Sequence, residues 1–165
     1  MNETARPTPL VTVAPILPSE HELALAMSLH DHQIRFVASN AKSLAQAAED
    51  PASVPLLVRA DGKPVGFAMY TLDKDDGNYW IYRFMIDRNS QSKGYGRAAI
   101  RMVAGLIFES TDAPRVLLGV VQGNADARRL YERAGFADAG YQVDGEDIMI
   151  IERSAWIAAQ PGVTA

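Results

Sequence analysis

Cysteine is absent from all 165 residues. A disulfide, a zinc–thiolate centre and a cysteine nucleophile are therefore excluded. Long hydrophobic runs are missing too, since none approaches the ~20 residues that span a bilayer. The start, Met1 to Pro9, is polar and proline-containing, without the apolar stretch of a secretory signal, so a cytoplasmic location is expected. Positive charge is not in excess. Lys and Arg number 16 against 20 Asp and Glu, a net charge of −4, which argues against a nucleic-acid-binding surface. It is compatible with a cationic small substrate. Apolar and charged fractions of 48% and 22% are those of a soluble globular protein. The length fits one domain with a substantial core. There are no internal repeats and no low-complexity segment.

Periodicity divides the chain into short elements. Val11 to Ile16 reads as a strand. Pro18-Ser19-Glu20 opens a helix with Ser19 as N-cap and with Leu23, Ala26, Met27 and His30 on one face. Ser39 or Asn40 caps a second helix ending near Glu49, with Leu44, Ala47 and Ala48 inward. Strand-like runs Pro55–Ala60 and Pro64–Leu72 flank Asp61-Gly62-Lys63, a hairpin signal, and Tyr79–Asp87 completes a meander. A helix over Ala98–Glu109, with Ala99, Met102, Val103, Leu106 and Ile107 at spacings of three and four, stops before Pro114. Val116–Val121 is apolar enough for a strand covered on both faces. A helix over Asn124–Ala134 ends at Gly135, and a last hairpin turns at Asp144-Gly145. The expected fold is α/β (α+β): a mixed, mostly antiparallel sheet of six to seven strands flanked by about four helices. Residues 11–156 form the domain, between a flexible segment 1–10 and a flexible tail 157–165.

Gln91-Ser92-Lys93-Gly94-Tyr95-Gly96-Arg97 lies between a strand and a helix. A glycine-bearing turn with cations at a helix start can converge backbone N–H groups on a phosphate. Three readings compete. One is a plain surface turn. A second is a dinucleotide fingerprint, because Gly94-x-Gly96-x-x-Ala99 fits G-x-G-x-x-A. That fingerprint belongs in a first βαβ unit with an acidic residue ending the next strand. Here it follows a meander, and the next strand ends Val120-Val121-Gln122. The third is acyl-coenzyme A.

The element order and two motifs resemble the GNAT (N-acetyltransferase) superfamily. Gln91-x-x-Gly94-x-Gly96 matches its Q/R-x-x-G-x-G/A turn, and Asn124-x-x-Ala127-x-x-Leu130-Tyr131-x-x-x-Gly135-Phe136 matches a second family segment. The resemblance covers about Val11 to Glu152. Tyr79-Trp80-Ile81-x-Arg83-Phe84-Met85-Ile86-Asp87, Phe36-Val37-Ala38 and Ser43-Leu44-Ala45 further resemble bacterial spermine/spermidine acetyltransferases.

The resemblance implies an acetyl-CoA-dependent enzyme without a metal. The pyrophosphate would lie on Gln91, Ser92, Lys93, Gly94, Tyr95, Gly96 and Arg97, and the pantetheine arm beside Phe84, Met85 and Ile86. One N–H there, that of Ile86, would polarise the thioester carbonyl. Asn124 is either a helix N-cap or a hydrogen-bond donor to the arm. Tyr131 would be the general acid that protonates the departing thiolate; otherwise it is a core aromatic. A basic amine, pKa ~10.4, must lose a proton before it attacks. The two positions where relatives carry a glutamate base hold Trp80 and Gly119 here, which leaves that role to a water chain or to a carboxylate elsewhere, such as Glu146 or one in the first helical region. The acceptor implied is a polyamine such as spermidine or spermine. Trp80, Tyr82 and Glu146 are substrate-binding candidates, and Glu22, Asp31, Asp144, Asp147 and Tyr141 form a wider set. A cationic antibiotic, a protein N-terminus, or acyl-CoA binding without catalysis are the alternatives. His30-Asp31-His32 is not read as a metal site, because side chains two apart on a helix diverge. A homodimer is a reasonable expectation for the family.

Overall fold

Leu56 and Leu57 are neighbours in the chain and both are fully buried, on opposite sides of one sheet. This is the period-2 alternation of a strand covered on both faces. The structure, a computed structural model, describes residues 7–162. Its strands are β1 (Val11–Pro15), β2 (Ser53–Ala60), β3 (Lys63–Leu72), β4 (Tyr79–Ile86), β5 (Arg115–Val121), β6 (Ala137–Val143) and β7 (Glu146–Glu152). They form one seven-stranded sheet in the order β1-β2-β3-β4-β5-β7-β6. Every neighbouring pair is antiparallel except β4 with β5. The helices are α1 (His21–Leu25), α2 (Asn40–Glu49), α3 (Tyr95–Ser110), α4 (Ala125–Ala134) and α5 (Arg153–Ala158). Both Asp-Gly hairpins turn as expected. Asp61 and Gly62 have φ of 49° and 80°, and Asp144 and Gly145 have 51° and 81°. Two successive left-handed residues match the twist of the strands they join.

On one face Leu57, Phe67, Met69 and Met85 pack against Ala24 of α1 and Leu44 of α2. On the other, Leu56, Ala68, Ile81, Val116 and Leu118 pack against Ile100, Val103 and Ile107 of α3 and Ala134 of α4. Helix α5, which periodicity did not reveal, joins this second layer and runs two residues past the 156 boundary drawn from the sequence. Trp156 packs at a tilt against Phe108, with ring centres 5.5 Å apart, and rests on Gly105, where a Cβ would come within 2.9 Å of the indole. Arg153 begins α5 and donates to the carbonyls of Phe108, Thr111 and Ala113 at 2.7–2.8 Å. One guanidinium thus satisfies orphan carbonyls at and just beyond the end of α3.

The parallel pair β4–β5 is short. Tyr79, Trp80 and Ile81 pair with Val116, Leu117 and Leu118, and there the ladder stops. The cause lies in β4. Opposite β3, Tyr70 pairs with Ile81 and Met69 with Arg83, so Tyr82 is one residue too many. A bulge of this kind bends its strand and raises the local twist. Beyond it β4 leaves β5, while β5 stays paired with β7 along its whole length. The β5-facing backbone edge of β4 is therefore open from Tyr82 to Ile86.

Several local expectations are corrected. Ser19 does not cap a helix. It lies inside a 3-10 turn, Pro18–Glu20, whose preceding Leu17 N–H donates to the Glu20 carboxylate at 3.0 Å. The first α-helix is a short five-residue segment that buries Ala24, whereas Leu23 is exposed. The reason is local: this region breaks again into a 3-10 helix at Asp31–Phe36. His30 precedes that helix, and its ring stacks on His32 at 5.8 Å, so the two do not diverge as they would on an α-helix. Ala48 of α2 and Met102 of α3 face solvent. Helix α3 begins three residues earlier than Ala98, within the glycine turn itself.

Gly66 of β3 sits opposite Ile86, and a Cβ there would lie 2.6 Å from the Met85 carbonyl oxygen. Backbone cannot yield cheaply, so Gly66→Ala is expected to cost about 2 kcal/mol. The matching fall in Tm is roughly 4–8 °C. Thermal denaturation checks this, and an unchanged Tm contradicts the packing described.

Candidate active site

The gap between β4 and β5 opens into a cleft of about 760 Å3. Its walls are Tyr82 to Ile86 of β4, Leu118 to Val121 of β5, the turn Gln91–Arg97 without Lys93, and the cleft side of α4. The segment with Leu29, Gln33 and Phe36–Ala38 forms the outer rim. Four arginines line it (Arg83, Arg97, Arg129 and Arg133) against two carboxylates, Asp126 and Glu146. That balance suits a ligand carrying phosphate charge.

The turn is built to present backbone donors. Ser92 and Gly94 both have positive φ, 61° and 83°. Space around the Cα of Gly94 is open, so glycine is there for its conformation. Gly96 has a different reason. A Cβ at Gly96 would lie 3.0 Å from Leu130, so this glycine lets α3 and α4 approach. The first α-helical bond runs from the Ala98 N–H to the Gly94 carbonyl, leaving the N–H groups of Tyr95, Gly96 and Arg97 without an acceptor in the helix. Those donors, at the positive end of a 16-residue helix, are free to pair with an anion. Gln91 lines the cleft with its amide engaged by the protein. Its Nε2 donates to the Ile86 carbonyl and to Gln33 at 2.9 Å, and Gln33 returns a bond at 3.0 Å. Gln91 thus pins the turn to the end of β4 and to the rim. Arg97 lines the cleft, whereas exposed Lys93 bends back to the Asn89 carbonyl and does not.

Along β4, Met85 and Ile86 are buried in the cores on either face of the sheet. Phe84 packs edge-on against Tyr131 with ring centres 6.4 Å apart. What β4 offers the cleft here is mainly the backbone of Phe84 and Ile86, since alternate residues of an antiparallel strand face the open side while Met85 faces β3. Asn124 takes the first of the two roles left open by the sequence. Its Oδ1 accepts from the Ala127 N–H at 3.3 Å as an N-cap. Its Nδ2 is left available toward the cleft, which Asn124 lines.

Tyr131 lines the cleft and is only 9% exposed, between Phe84 and Phe136. Burial pushes its phenol well above the usual range, and the charge of Glu146 pushes the same way. The hydroxyl is thus a proton donor held in reserve at neutral pH. The folded state keeps this proton where the unfolded chain loses it. Its contribution to stability is therefore complete below pH ~10 and falls only as pH rises above that.

Not all of the expected substrate residues meet here. Tyr82 and Glu146 line the cleft; Trp80 does not, because its indole donates to Asp76 at 2.9 Å beside the preceding turn. Glu22, Asp31, Asp144 and Tyr141 lie outside the lining, and Asp147 is bound by Arg128 and Gln142. Arg129, Arg133 and Gln33 were missed. The i, i+4 spacing of the two arginines was a visible signal, but the charged face of a helix normally means only solvent. Among the described residues no group of three His, Cys, Asp or Glu is placed to hold a metal ion.

Residues 20–136 match the acetyltransferase (GNAT) family. The chain belongs to that family. It is 32% identical over 138 residues to the spermine/spermidine N(1)-acetyltransferase of Bacillus subtilis, covering 78% of this chain and 91% of that one. A mycothiol acetyltransferase of Clavibacter sepedonicus is 33% identical over 73% of this chain and 39% of its own length. In fold, the chain is similar to an aminoglycoside acetyltransferase solved with coenzyme A and kanamycin. That pair has a TM-score of 0.76 and 20% identity, over 91% of this chain and 99% of that one. It is also similar to the spermidine N-acetyltransferase of Vibrio cholerae solved with CoA and spermine. Here the TM-score is 0.71 with 17% identity, over 89% and 98% of the two chains. The protein is accordingly a GNAT-family N-acetyltransferase, with the expected mixed and mostly antiparallel sheet.

The state of Tyr131 in this acetyltransferase is directly measurable. Ultraviolet titration of phenol ionisation up to pH ~10 should be the same for the native protein and Tyr131→Phe. A titration smaller by about half a phenol in the variant, the share an ordinary tyrosine ionises by that pH, contradicts the burial of this hydroxyl.

Proposed function

We propose that this GNAT protein moves acetyl from acetyl-CoA to a primary amine of a small cationic acceptor, a polyamine such as spermidine or spermine. The observation that carries the proposal is the open β4 edge, which joins the N–H-lined turn and the buried Tyr131 hydroxyl in one cleft. The cleft fits the co-substrate: donors without helical partners for phosphate, Arg97 beside them, Arg129 and Arg133 on α4, and free backbone for an extended arm. Acetyl-CoA supplies an activated thioester; the remaining tasks fall to the protein. Ser92 to Arg97 hold the pyrophosphate. Arg129 and Arg133 add charge from α4. The backbone of Phe84 and Ile86 aligns the arm, and the Asn124 amide nitrogen donates to it. The Ile86 N–H polarises the carbonyl that is attacked, as an oxyanion donor does. Tyr131 protonates the departing sulfur.

The acceptor class is supported by the 32% identical relatives, which are named for spermine and spermidine. Tyr82 and Glu146 give the acceptor an aromatic face and a carboxylate inside the cleft. No helix among the described residues is long and apolar enough to cross a membrane, and we place the reaction in the cytoplasm.

Free-CoA release is the test, run with spermidine, spermine, diamines, aminoglycosides and short peptides. The polyamines are expected to give the highest kcat/KM. Tyr131→Phe should lower kcat about 100-fold with acetyl-CoA binding retained. Binding of acetyl-CoA without release of CoA to any amine would reduce the site to a binding site.

A further inference from the structure

An amine with pKa ~10.4 arrives protonated, so transfer requires a proton acceptor in the cleft. The three histidines (His21, His30 and His32) lie outside the lining. Three tyrosines also line it, Tyr82, Tyr95 and Tyr131, and a phenol with pKa ~10 keeps its proton at neutral pH; burial raises Tyr82 and Tyr131 further. Two carboxylates remain. Asp126 is 80% exposed and tied to Arg129 in an ion pair. Glu146 is different. It is half-buried, lines the cleft, and makes no hydrogen bond or ion pair among the described residues.

Its position is set by a glycine on the next strand. Glu146 opens β7 and pairs with Val121 of β5, two residues from Gly119. A Cβ built on Gly119 would fall 2.1 Å from Glu146 Oε2 and 3.2 Å from its Cβ and Cδ. The carboxylate therefore occupies the space that a side chain on Gly119 would fill. The missing side chain of β5 admits the carboxylate of β7 at the β5 wall of the cleft. Its charge reaches Tyr131, where it adds to the effect of burial. An unpartnered carboxylate and a protonated phenol thus share one cleft, with Arg83, Arg97, Arg129 and Arg133 as the cationic groups around it.

We infer that Glu146 is the general base of the transfer, delivered across the sheet onto Gly119. This deepens the function proposed above and rests on it. Glu146 takes one proton from the acceptor ammonium, directly or through one water. The neutral nitrogen then bonds to the acetyl carbon. The C–S bond breaks, and the leaving sulfur takes the Tyr131 proton. The nitrogen, positively charged after attack, gives its second proton to the Tyr131 phenolate. Glu146 releases its own proton to solvent, so each turnover yields acetylamine, CoA thiol and one proton.

The test uses Glu146→Gln, which keeps size and polarity, and two acceptors: spermidine, and a fluorinated amine that is already neutral at the assay pH. With spermidine, kcat should fall about 100-fold, the usual worth of a general base. With the neutral amine, the same variant should lose far less, because no ammonium proton has to be taken. Calorimetric affinity for CoA should not change, and added formate should restore part of the spermidine rate. Equal losses on the two acceptors, or no loss with spermidine, overturn the assignment of Glu146 alone. A native protein that turns over neither acceptor overturns this inference together with the proposed function.

Discussion

The separation of β4 from β5 after three paired residues is the constraint on which the rest of the site depends. A sheet buried on both faces normally consumes every backbone donor and acceptor in its ladders, because an unpaired group away from water is costly. Here the extra residue Tyr82 bends β4 away, and a run of backbone groups is left without sheet partners. Such an edge is a liability unless it faces water or a ligand that pairs with it. The cleft makes it useful. Acidic overall yet lined by four arginines and two carboxylates, the molecule concentrates positive charge where a phosphate-bearing ligand would sit.

Around that gap each element has one task. Helix α3 supplies free N–H groups, and its far end is closed by Arg153 from outside the helix. Gln91 ties the turn to the end of β4 and to the rim by side-chain hydrogen bonds. Gly96 brings α4 close to α3, which sets Tyr131 against Phe84. Gly119 leaves room for Glu146. These two glycines lie at close packing contacts, and neither serves a left-handed turn.

Much of this architecture was legible in the sequence. The Asp-Gly turns, the period-2 runs and the apolar β5 run define the meander and the last hairpin, because those signals depend on neighbouring residues alone. The two motifs located the anion turn and Tyr131 for the same reason. What was not legible depends on contacts distant in the chain. The bulge at Tyr82 leaves no mark in composition. Gln91 looked like a ligand-binding side chain because its partners, Gln33 and the Ile86 carbonyl, are brought to it only by folding. Trp80 looked like part of an amine site, yet a local bond to Asp76 holds it aside. Gly119 read as an empty position, and only the register of β5 with β7 shows what fills it.

Backbone amide hydrogen exchange, with and without CoA, tests the central claim that the open β4 edge holds the acyl donor's arm. The account predicts slowed exchange on binding at Phe84 and Ile86, whose N–H groups face the gap, together with Ser92 to Arg97. Protection confined to the turn, with β4 exchanging as before, would contradict it.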